Sequence, residues 1–412
     1  MKLKIERLGL EGDGVGRGPD GEAYVPFTLP GEIVSVEIVD GLMKIADILE
    51  RSPHRINPVC RHFGSCGGCS LQHASDEFLA TWKVETVIRA LAAHGLGAKM
   101  RPIVVAPVSS RRRATFAGRR TKKTVQVGFH ARLSNTVVPI NECHVIEPQL
   151  LAAVPVLAGL TRIGATRSSP IRAAVTLTDA GLDVGITDAK EMSAEMRSDA
   201  IKLASDHDFA RLTWNGEIVV AARPAAWRFG RAVVSLPPLA FGQATAAGET
   251  ELVARVSQAT DGAERIVDLF SGCGTFALPL AEKAEVHAVE MDSAMLTALD
   301  HGWRQASNLK RVSHEIRDLF SRPLLAKELD RFDAIVLDPP RAGASAQCHQ
   351  IAESKVNLVA YVSCNPVTFA RDVKLLVGRG FEIDWIQVVD QFRWSGHVEL
   401  VASLRRQPIR LS

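Results

Sequence analysis

The chain of 412 residues lacks both a long apolar run and an apolar leader segment. Its longest apolar run, residues 150–160, contains Pro155 and is shorter than the roughly 20 residues that a membrane-spanning helix needs. We therefore expect a buried helix there. Residues 1–15 alternate charged and apolar side chains instead of forming the apolar core of a signal peptide, which predicts a cytoplasmic protein.

The sequence also lacks the even set of cysteines that a disulfide framework needs. It has seven cysteines and no secretion signal, so metal binding and catalysis are the roles to consider for them. There is no internal repeat and no low-complexity tract. With 46% hydrophobic and 23% charged residues, the composition is that of a globular protein with two or three domains.

Acidic residues are missing from one long stretch, residues 86–141. This stretch contains eleven Lys and Arg residues, among them Arg111, Arg112 and Arg113, whereas the net charge of the whole chain is only +3. A solvated charged face is the simpler interpretation. The complete lack of acids favours a partner that carries phosphate groups, and we expect an RNA-binding surface here.

Three segments differ in their patterns. Residues 1–50 contain short alternating runs and glycine-rich turns, which predict a small β-barrel that either binds oligonucleotides or is purely structural. Residues 51–235 form a mixed α+β region with helical periodicity at 76–94. Residues 236–412 alternate apolar strands with helices, which predicts an α/β domain with a parallel sheet.

Four predicted strands of the last segment end in residues that carry chemistry. They are Asp268 with the glycine loop 270–275, Glu290, Asp338 and Cys364. Ligands of open α/β sheets bind outside the carboxyl ends of the strands, so these groups should converge on one site. The glycine loop and Glu290 fit a dinucleotide as well as S-adenosylmethionine, and a nicotinamide oxidoreductase therefore stays open at this point.

The residues after two of these strands favour a methyltransferase acting on a base. Asp338-Pro339-Pro340 would form a rigid wall for a planar ring, and Arg341 stands where enzymes that methylate exocyclic amines often have an aromatic residue. A thiolate at Cys364 could add to carbon 6 of a uracil and thereby activate carbon 5. The alternatives are a strand-ending turn and an inert buried cysteine, which is the interpretation we give to Cys273 and Cys348.

The carbon 5 proton must leave after methyl transfer, which requires a general base near the ring. We predict that Glu399 is this base. It lies in a predicted terminal strand and should point to the face opposite Val398. The alternative is an exposed strand carboxylate.

The strings VDLFSGCGTF, LDPPRAG, YVSCNPVTFARD and HVELV closely resemble the RNA uracil-5-methyltransferase family, which includes ribosomal and transfer RNA enzymes. The resemblance implies a Rossmann-like class I methyltransferase domain, Cys364 as nucleophile and Glu399 as base. It also implies contacts to S-adenosylmethionine from Gln243, Phe270, Thr275, Glu290, Asp318 and Asp338. The sequence departs from the family where Arg393-Trp394 replaces a frequent proline and histidine, and where Thr275 replaces a frequent asparagine.

Four of the cysteines have the spacing of a metal site. Cys60, Cys66 and Cys69 read C-x5-C-x2-C, and Cys143 follows at a distance. Four thiolates can hold zinc or a 4Fe-4S cluster, and spacing alone slightly favours zinc. The family resemblance implies the 4Fe-4S cluster, and it implies that the N-terminal barrel is the OB-like module called TRAM.

These features predict methylation of carbon 5 of a uridine that is turned out of its stack. We favour 23S ribosomal RNA as substrate, because the layout of TRAM and cluster is commoner among the ribosomal enzymes, and transfer RNA is second. A non-catalytic RNA-binding iron-sulfur protein is the other alternative. We expect neither a membrane nor an obligate protein partner.

Overall fold

A computed structural model describes residues 1–19, 21–39 and 42–407. Its N-terminal part is an antiparallel five-stranded sheet of order β3-β2-β1-β4-β5, whose edge strands β3 and β5 also contact each other. The strands are β1 (Lys2–Leu8), β2 (Gly14–Gly18), β3 (Gly21–Val25), β4 (Ile33–Val39) and β5 (Leu42–Glu50). Alternate residues such as Leu3, Ile5 and Val34 are buried inside, as the alternating sequence pattern predicts.

Residues 51–75 contain no helix or strand, and a helix and a short strand follow them. These elements are α1 (Asp76–Ala92) and β6 (Val104–Val105). Ser75 caps α1 by accepting a hydrogen bond from the backbone N–H of Phe78. Although the sequence pattern grouped α1 and β6 with the central segment, Val87 and Leu91 pack into the core of the C-terminal sheet, and β6 pairs with Val389 and Asp390.

The central segment forms a seven-stranded sheet of order β13-β12-β11-β10-β7-β8-β9. Its strands are β7 (Arg113–Arg120), β8 (Val125–His130), β9 (Val137–Pro139), β10 (Ile171–Thr178), β11 (Gly181–Thr187), β12 (Arg211–Trp214) and β13 (Glu217–Ala221). The helices are α2 (Pro148–Ala152), α3 (Val154–Gly164) and α4 (Ala194–Asp206), and a hairpin follows, β14 (Ala226–Phe229) with β15 (Ala232–Ser235). The single helix predicted at 150–160 is two helices that meet at Ala153, because Pro155 favours the first turn of a new helix.

The C-terminal segment forms an eight-stranded sheet of order β18-β17-β16-β19-β20-β22-β21-β6. Its strands are β16 (Arg265–Leu269), β17 (Glu285–Glu290), β18 (Val312–Ile316), β19 (Ala334–Leu337), β20 (Leu358–Ser363), β21 (Phe381–Asp390) and β22 (Glu399–Arg406). The helices are α5 (Ala246–Ala259), α6 (Ala277–Leu280), α7 (Ser293–Gln305), α8 (Ala326–Leu329), α9 (Ser345–Glu353) and α10 (Pro366–Val377).

The predicted α/β fold is confirmed, and the sheet is parallel from β16 to β20. The expectation of an all-parallel sheet is wrong at one end, where β22 is antiparallel to both β20 and β21. The strand order reverses between β16 and β19, which is where ligands of such sheets bind. Within the described ranges, no helix has the length and apolar character needed to cross a membrane.

Candidate active site and cysteine cavity

Cys364 and Glu399 meet where β20 and β22 pair. Ser363 and Leu400 are partners in this antiparallel pair, so the next residue of one strand, Cys364, lies beside the preceding residue of the other, Glu399. The side chain of Glu399 is only 5% exposed, which contradicts the alternative of an exposed strand carboxylate. Asp338 directly follows the neighbouring strand β19, and its charge raises the pKa of both Cys364 and Glu399.

Burial makes this site favour uncharged groups. It raises the pKa of Cys364 to about 11, and the nearby carboxylates of Glu399 and Asp338 act in the same direction, while Arg341 opposes them. Burial also raises the pKa of Asp338 to about 7, and it holds the pKa of Glu399 well above its ordinary value. Cys364 is therefore mainly a thiol at neutral pH, and Glu399, once ionised, is a stronger base than an ordinary carboxylate.

The glycine loop follows β16 as predicted and has an unusual backbone. Phe270 has a φ of +64° and Gly274 a φ of +92°, and a Cβ at Gly274 would come within 2.9 Å of Leu299. Ser271 Oγ is buried and has no hydrogen-bond partner among the described residues, so a ligand could satisfy it. Thr275 continues this loop and is half-buried. The loop can thus approach a bound molecule closely with its backbone.

Glu290 is fixed at the end of β17 by backbone donors. Its carboxylate accepts hydrogen bonds from the N–H groups of Gly272 at 3.2 Å, Met291 at 2.8 Å and Asp292 at 3.0 Å. These hydrogen bonds hold the carboxylate of Glu290 next to the glycine loop. A carboxylate oriented at this place could accept hydrogen bonds from ribose hydroxyls, as predicted from its spacing.

Asp318 lies at the same edge of the sheet, just after β18. Its carboxylate accepts hydrogen bonds from the N–H of Phe320 at 2.9 Å and from the hydroxyl of Ser321 at 2.8 Å. The half-exposed ring of Phe320 lies 5.4 Å from the ring of Phe270. Phe320 could not be predicted from the sequence, because no motif distinguishes it from an ordinary exposed aromatic residue.

Gln243 is buried next to the site and is held by a residue that the sequence did not indicate. Gln391, the first residue after β21, donates from its side-chain amide to Gln243 Oε1 at 2.8 Å, and its own oxygen accepts from the N–H of Thr245 at 3.2 Å. The two glutamines are far apart in the chain, so no local pattern could have found this contact.

Of the three arginines predicted to bind phosphate groups, Arg112 and Arg113 have guanidinium groups that are engaged within the protein. Arg112 is buried, pairs with Glu249 at 2.5 Å, and stacks on the ring of Trp227 at 3.7 Å. Arg113 donates to the carbonyl oxygens of the loop at residues 240–242, at 2.9 and 2.6 Å. Arg112 and Arg113 thus join the central sheet to the segment that carries Gln243, while Arg111 donates to the carbonyl oxygen of Arg113 at 3.0 Å.

The four cysteines predicted as metal ligands lie around one cavity of about 300 Å³. Cys60, Cys66, Cys69 and Cys143 all line it, together with Arg111. Burial raises the pKa of Cys69 to about 12. Within the ranges that the structure describes, no three His, Cys, Asp or Glu side chains are arranged to hold a metal ion. The four thiols therefore share one cavity with the guanidinium of Arg111, but the described residues do not form a preassembled metal site.

Comparisons with known proteins identify relatives of this chain. A family model described as tRNA (Uracil-5-)-methyltransferase matches residues 197–407. An RNA methyltransferase of Brucella suis is 45% identical over 405 residues, which cover 98% of each chain. The 23S rRNA (uracil(1939)-C(5))-methyltransferase RlmD of Halomonas elongata is 32% identical over 430 residues, which cover 97% of this chain and 88% of that one.

One solved structure resembles nearly the whole chain. The tRNA (uracil-54, C5)-methyltransferase of Pyrococcus abyssi, in complex with S-adenosyl-L-homocysteine, superimposes with a TM-score of 0.77 at 25% identity. The match covers 98% of this chain and 99% of that one.

Proposed function

This chain belongs to the family of S-adenosylmethionine-dependent RNA (uracil-5-)-methyltransferases, and we propose that it methylates a uridine of 23S ribosomal RNA through a covalent adduct with Cys364. The observation that carries the proposed mechanism is the burial of Glu399 beside Cys364 at the end of β20. Membership of this family leaves no support for a nicotinamide oxidoreductase or a non-catalytic RNA-binding protein.

The proposed reaction begins at Cys364. The thiol first loses its proton to solvent, and the thiolate adds to carbon 6 of the uracil, so that the electrons of the 5,6 double bond give an enolate whose carbon 5 is nucleophilic. When bound, S-adenosylmethionine would supply the methyl group, with S-adenosylhomocysteine as the leaving group, and a positive sulfonium charge that favours the Cys364 thiolate. Once carbon 5 carries the methyl group, its proton passes to the Glu399 carboxylate. The bond from carbon 6 to Cys364 then breaks, and the double bond forms again.

The residues proposed to bind the methyl donor surround the glycine loop. They are Gln243, Phe270, Thr275, Glu290, Asp318 and Asp338. Glu290 and Asp318 have orientations fixed by backbone N–H donors, which suits them to accept hydrogen bonds from a nucleoside. Ser271 Oγ, which lacks a partner among the described residues, supports a ligand at this place.

The choice of 23S ribosomal RNA rests on the relative from Halomonas elongata, and transfer RNA is the second candidate because of the similarity to the Pyrococcus enzyme. The test is incubation with labelled S-adenosylmethionine and, separately, with 23S ribosomal RNA and transfer RNA that lack the modification. We expect label in one uridine of the ribosomal RNA. Label in transfer RNA alone would establish the second candidate.

We further propose that Cys60, Cys66, Cys69 and Cys143 hold a 4Fe-4S cluster. The shared cavity supports this, and the guanidinium of Arg111 in its wall would offset the negative charge of four thiolates. Protein purified without oxygen should be brown and contain about four irons per chain. A colourless protein with one zinc would overturn the proposal.

RNA contact is better placed at the tip of the β7–β8 hairpin than at Arg111–Arg113. Arg119, Arg120, Lys122 and Lys123 are exposed there, and none of them forms an ion pair within the described residues. Arg120 also contacts the backbone of Arg162, a further exposed cation. We propose that this hairpin tip binds the phosphate backbone of the substrate. The N-terminal barrel is proposed as a second RNA-binding element.

A further inference from the structure

Residues 391–398 connect β21 to β22, and we call this segment the catalytic loop because Gln391 begins it and Glu399 follows it. Gln391 at its start holds Gln243 and the N–H of Thr245. Glu399 follows directly at its end and begins β22. Glu399 is the terminal paired residue of β22, opposite Val389 of β21, so the conformation of this loop acts on the strand end that carries the proposed base.

The catalytic loop is held from outside by the cysteine segment. The carbonyl oxygen of Trp394 accepts two hydrogen bonds, from the backbone N–H of Ser70 at 2.9 Å and of Leu71 at 3.0 Å. Ser70 directly follows Cys69, which lines the cysteine cavity. Two donors from consecutive residues fix both the position and the direction of this carbonyl.

Trp394 has a backbone conformation that its surroundings must impose. Its φ of +58° lies in the left-handed region, which a bulky residue rarely adopts. Its side chain is 5% exposed and packs in one apolar cluster with the barrel, the cysteine segment and α1. The other members of this cluster are Leu8, Leu29, Leu71, Ala74, Leu79 and Trp82. Trp394 thus lies where these three N-terminal parts meet the catalytic loop.

Further contacts hold the loop to the same N-terminal parts. The buried ammonium of Lys83 in α1 donates to Asp390 at 2.6 Å and to the carbonyl oxygen of Phe392 at 3.0 Å. A Cβ at Gly396 would come within 2.5 Å of the carbonyl oxygen of Leu10 in the barrel. Arg111 lines the cysteine cavity and also lies 5.8 Å from the ring of Phe392.

The cysteine segment has little regular structure of its own to keep these donors in place. No helix or strand occurs between β5 and α1. Its conformation must therefore depend on tertiary contacts and on whatever joins the four cysteines, since metal binding and folding of such segments are coupled.

We propose that the metal-loaded cysteine segment acts as a strap for the catalytic loop, with Ser70, Leu71 and Trp394 as positioning residues for Glu399. Loading of the four cysteines fixes the amides of Ser70 and Leu71. These amides hold the carbonyl of Trp394, and the loop then delivers Glu399 beside Cys364. This inference rests on the proposed role of Glu399 and on metal binding at the four cysteines.

The test compares hydrogen exchange in the full-length protein before and after chelation removes its metal. If the strap exists, exchange should become faster in residues 69–71 and 392–398 together, while the parallel strands β16 to β20 keep their protection. Unchanged exchange in 392–398 after metal removal would overturn the proposal. This readout does not depend on turnover or on whether the metal is iron or zinc, so failure of the proposed reaction is seen separately, in the RNA-labelling assay.

A second arm uses Trp394→Leu, with Trp214→Leu as the matched control because Trp214 is equally buried but lies in the central sheet. Trp394→Leu should keep its metal and its affinity for S-adenosylmethionine, exchange faster in 392–398, and lose kcat on the order of 10- to 100-fold through misplacement of Glu399. The control should leave exchange in the catalytic loop unchanged. Slow exchange in the loop of Trp394→Leu would contradict the positioning role.

Discussion

Cysteine side chains have different surroundings at the strand-end site and in the cysteine cavity. Cys364 is a single thiol at the end of β20, where the acids Glu399 and Asp338 raise its pKa and Arg341 only partly opposes them. Cys69 shares its cavity with three other cysteines and with the cation Arg111. A single thiol among acids suits a nucleophile that is activated only when a cationic donor binds. Grouped thiols beside a cation suit a permanently bound metal centre.

The arginines of the basic stretch divide in the same way. Arg112 is buried and paired with Glu249, whereas Arg119 and Arg120 at the end of β7 are exposed. In both comparisons the residue type is constant and the neighbours determine the role. The neighbours of each residue therefore determine what its substitution or modification should change.

The largest effect is expected for Cys364→Ala. This variant should bind S-adenosylmethionine normally and lose turnover by several orders of magnitude, where each tenfold corresponds to about 1.4 kcal/mol of barrier. Cys348→Ala, which removes a fully buried thiol in α9, should retain turnover. Multiple turnover in Cys364→Ala would show that another group is the nucleophile.

Breaking the Arg112 pair should affect stability and not RNA affinity. Arg112→Gln leaves Glu249 buried without its partner, and loss of one member of a buried pair costs roughly 3–5 kcal/mol of unfolding free energy. Urea denaturation measures this destabilisation. A fully stable variant with weakened RNA binding would show that Arg112 contacts RNA.

The reactivity of Cys364 should depend on pH. Because burial raises its pKa to about 11, the thiolate fraction at neutral pH is small and increases as the pH rises toward that value. Alkylation of Cys364 in protein without the methyl donor should therefore accelerate roughly tenfold per pH unit between 7 and 9. Peptide mapping by mass spectrometry follows this residue, and a rate independent of pH would contradict the account.

The smallest effect is expected at the hairpin tip. Lys122→Gln with Lys123→Gln should leave stability unchanged and reduce the slope of RNA affinity against salt concentration, by roughly 0.7–0.9 for each phosphate group that the protein no longer neutralises. Lys202→Gln, an exposed lysine in α4, is the control. An unchanged slope would show that these hairpin lysines do not contact phosphate groups of the RNA.

Local sequence predicted the strand ends well. Asp338 and Cys364 follow strands whose bounds the apolar runs indicated correctly, because a short buried strand and its terminal turn are encoded within a few residues. The α/β fold, the N-terminal β module and the helix predicted at 76–94, which spans Asp76–Ala92, were recognised for the same reason.

Long-range contacts could not be predicted in this way. The roles of Arg112, Gln391 and Trp394 depend on partners more than 100 residues away in the chain, and a single sequence holds no local signal for such pairs. The packing of α1 and β6 on the C-terminal sheet was missed for the same reason. The sequence of an arginine-rich run does not show whether its charges are exposed to solvent or paired within the fold.

The central claim is that Cys364 forms a covalent adduct whose release needs Glu399. Glu399→Gln tests it most directly, because the amide cannot accept the carbon 5 proton while Cys364 attack and methyl transfer can still occur. The measurement is denaturing electrophoresis after incubation with RNA and labelled S-adenosylmethionine. The account predicts a protein–RNA band with one labelled methyl group per enzyme, absent when Cys364→Ala is added. Near-wild-type turnover in Glu399→Gln without a trapped band would contradict it.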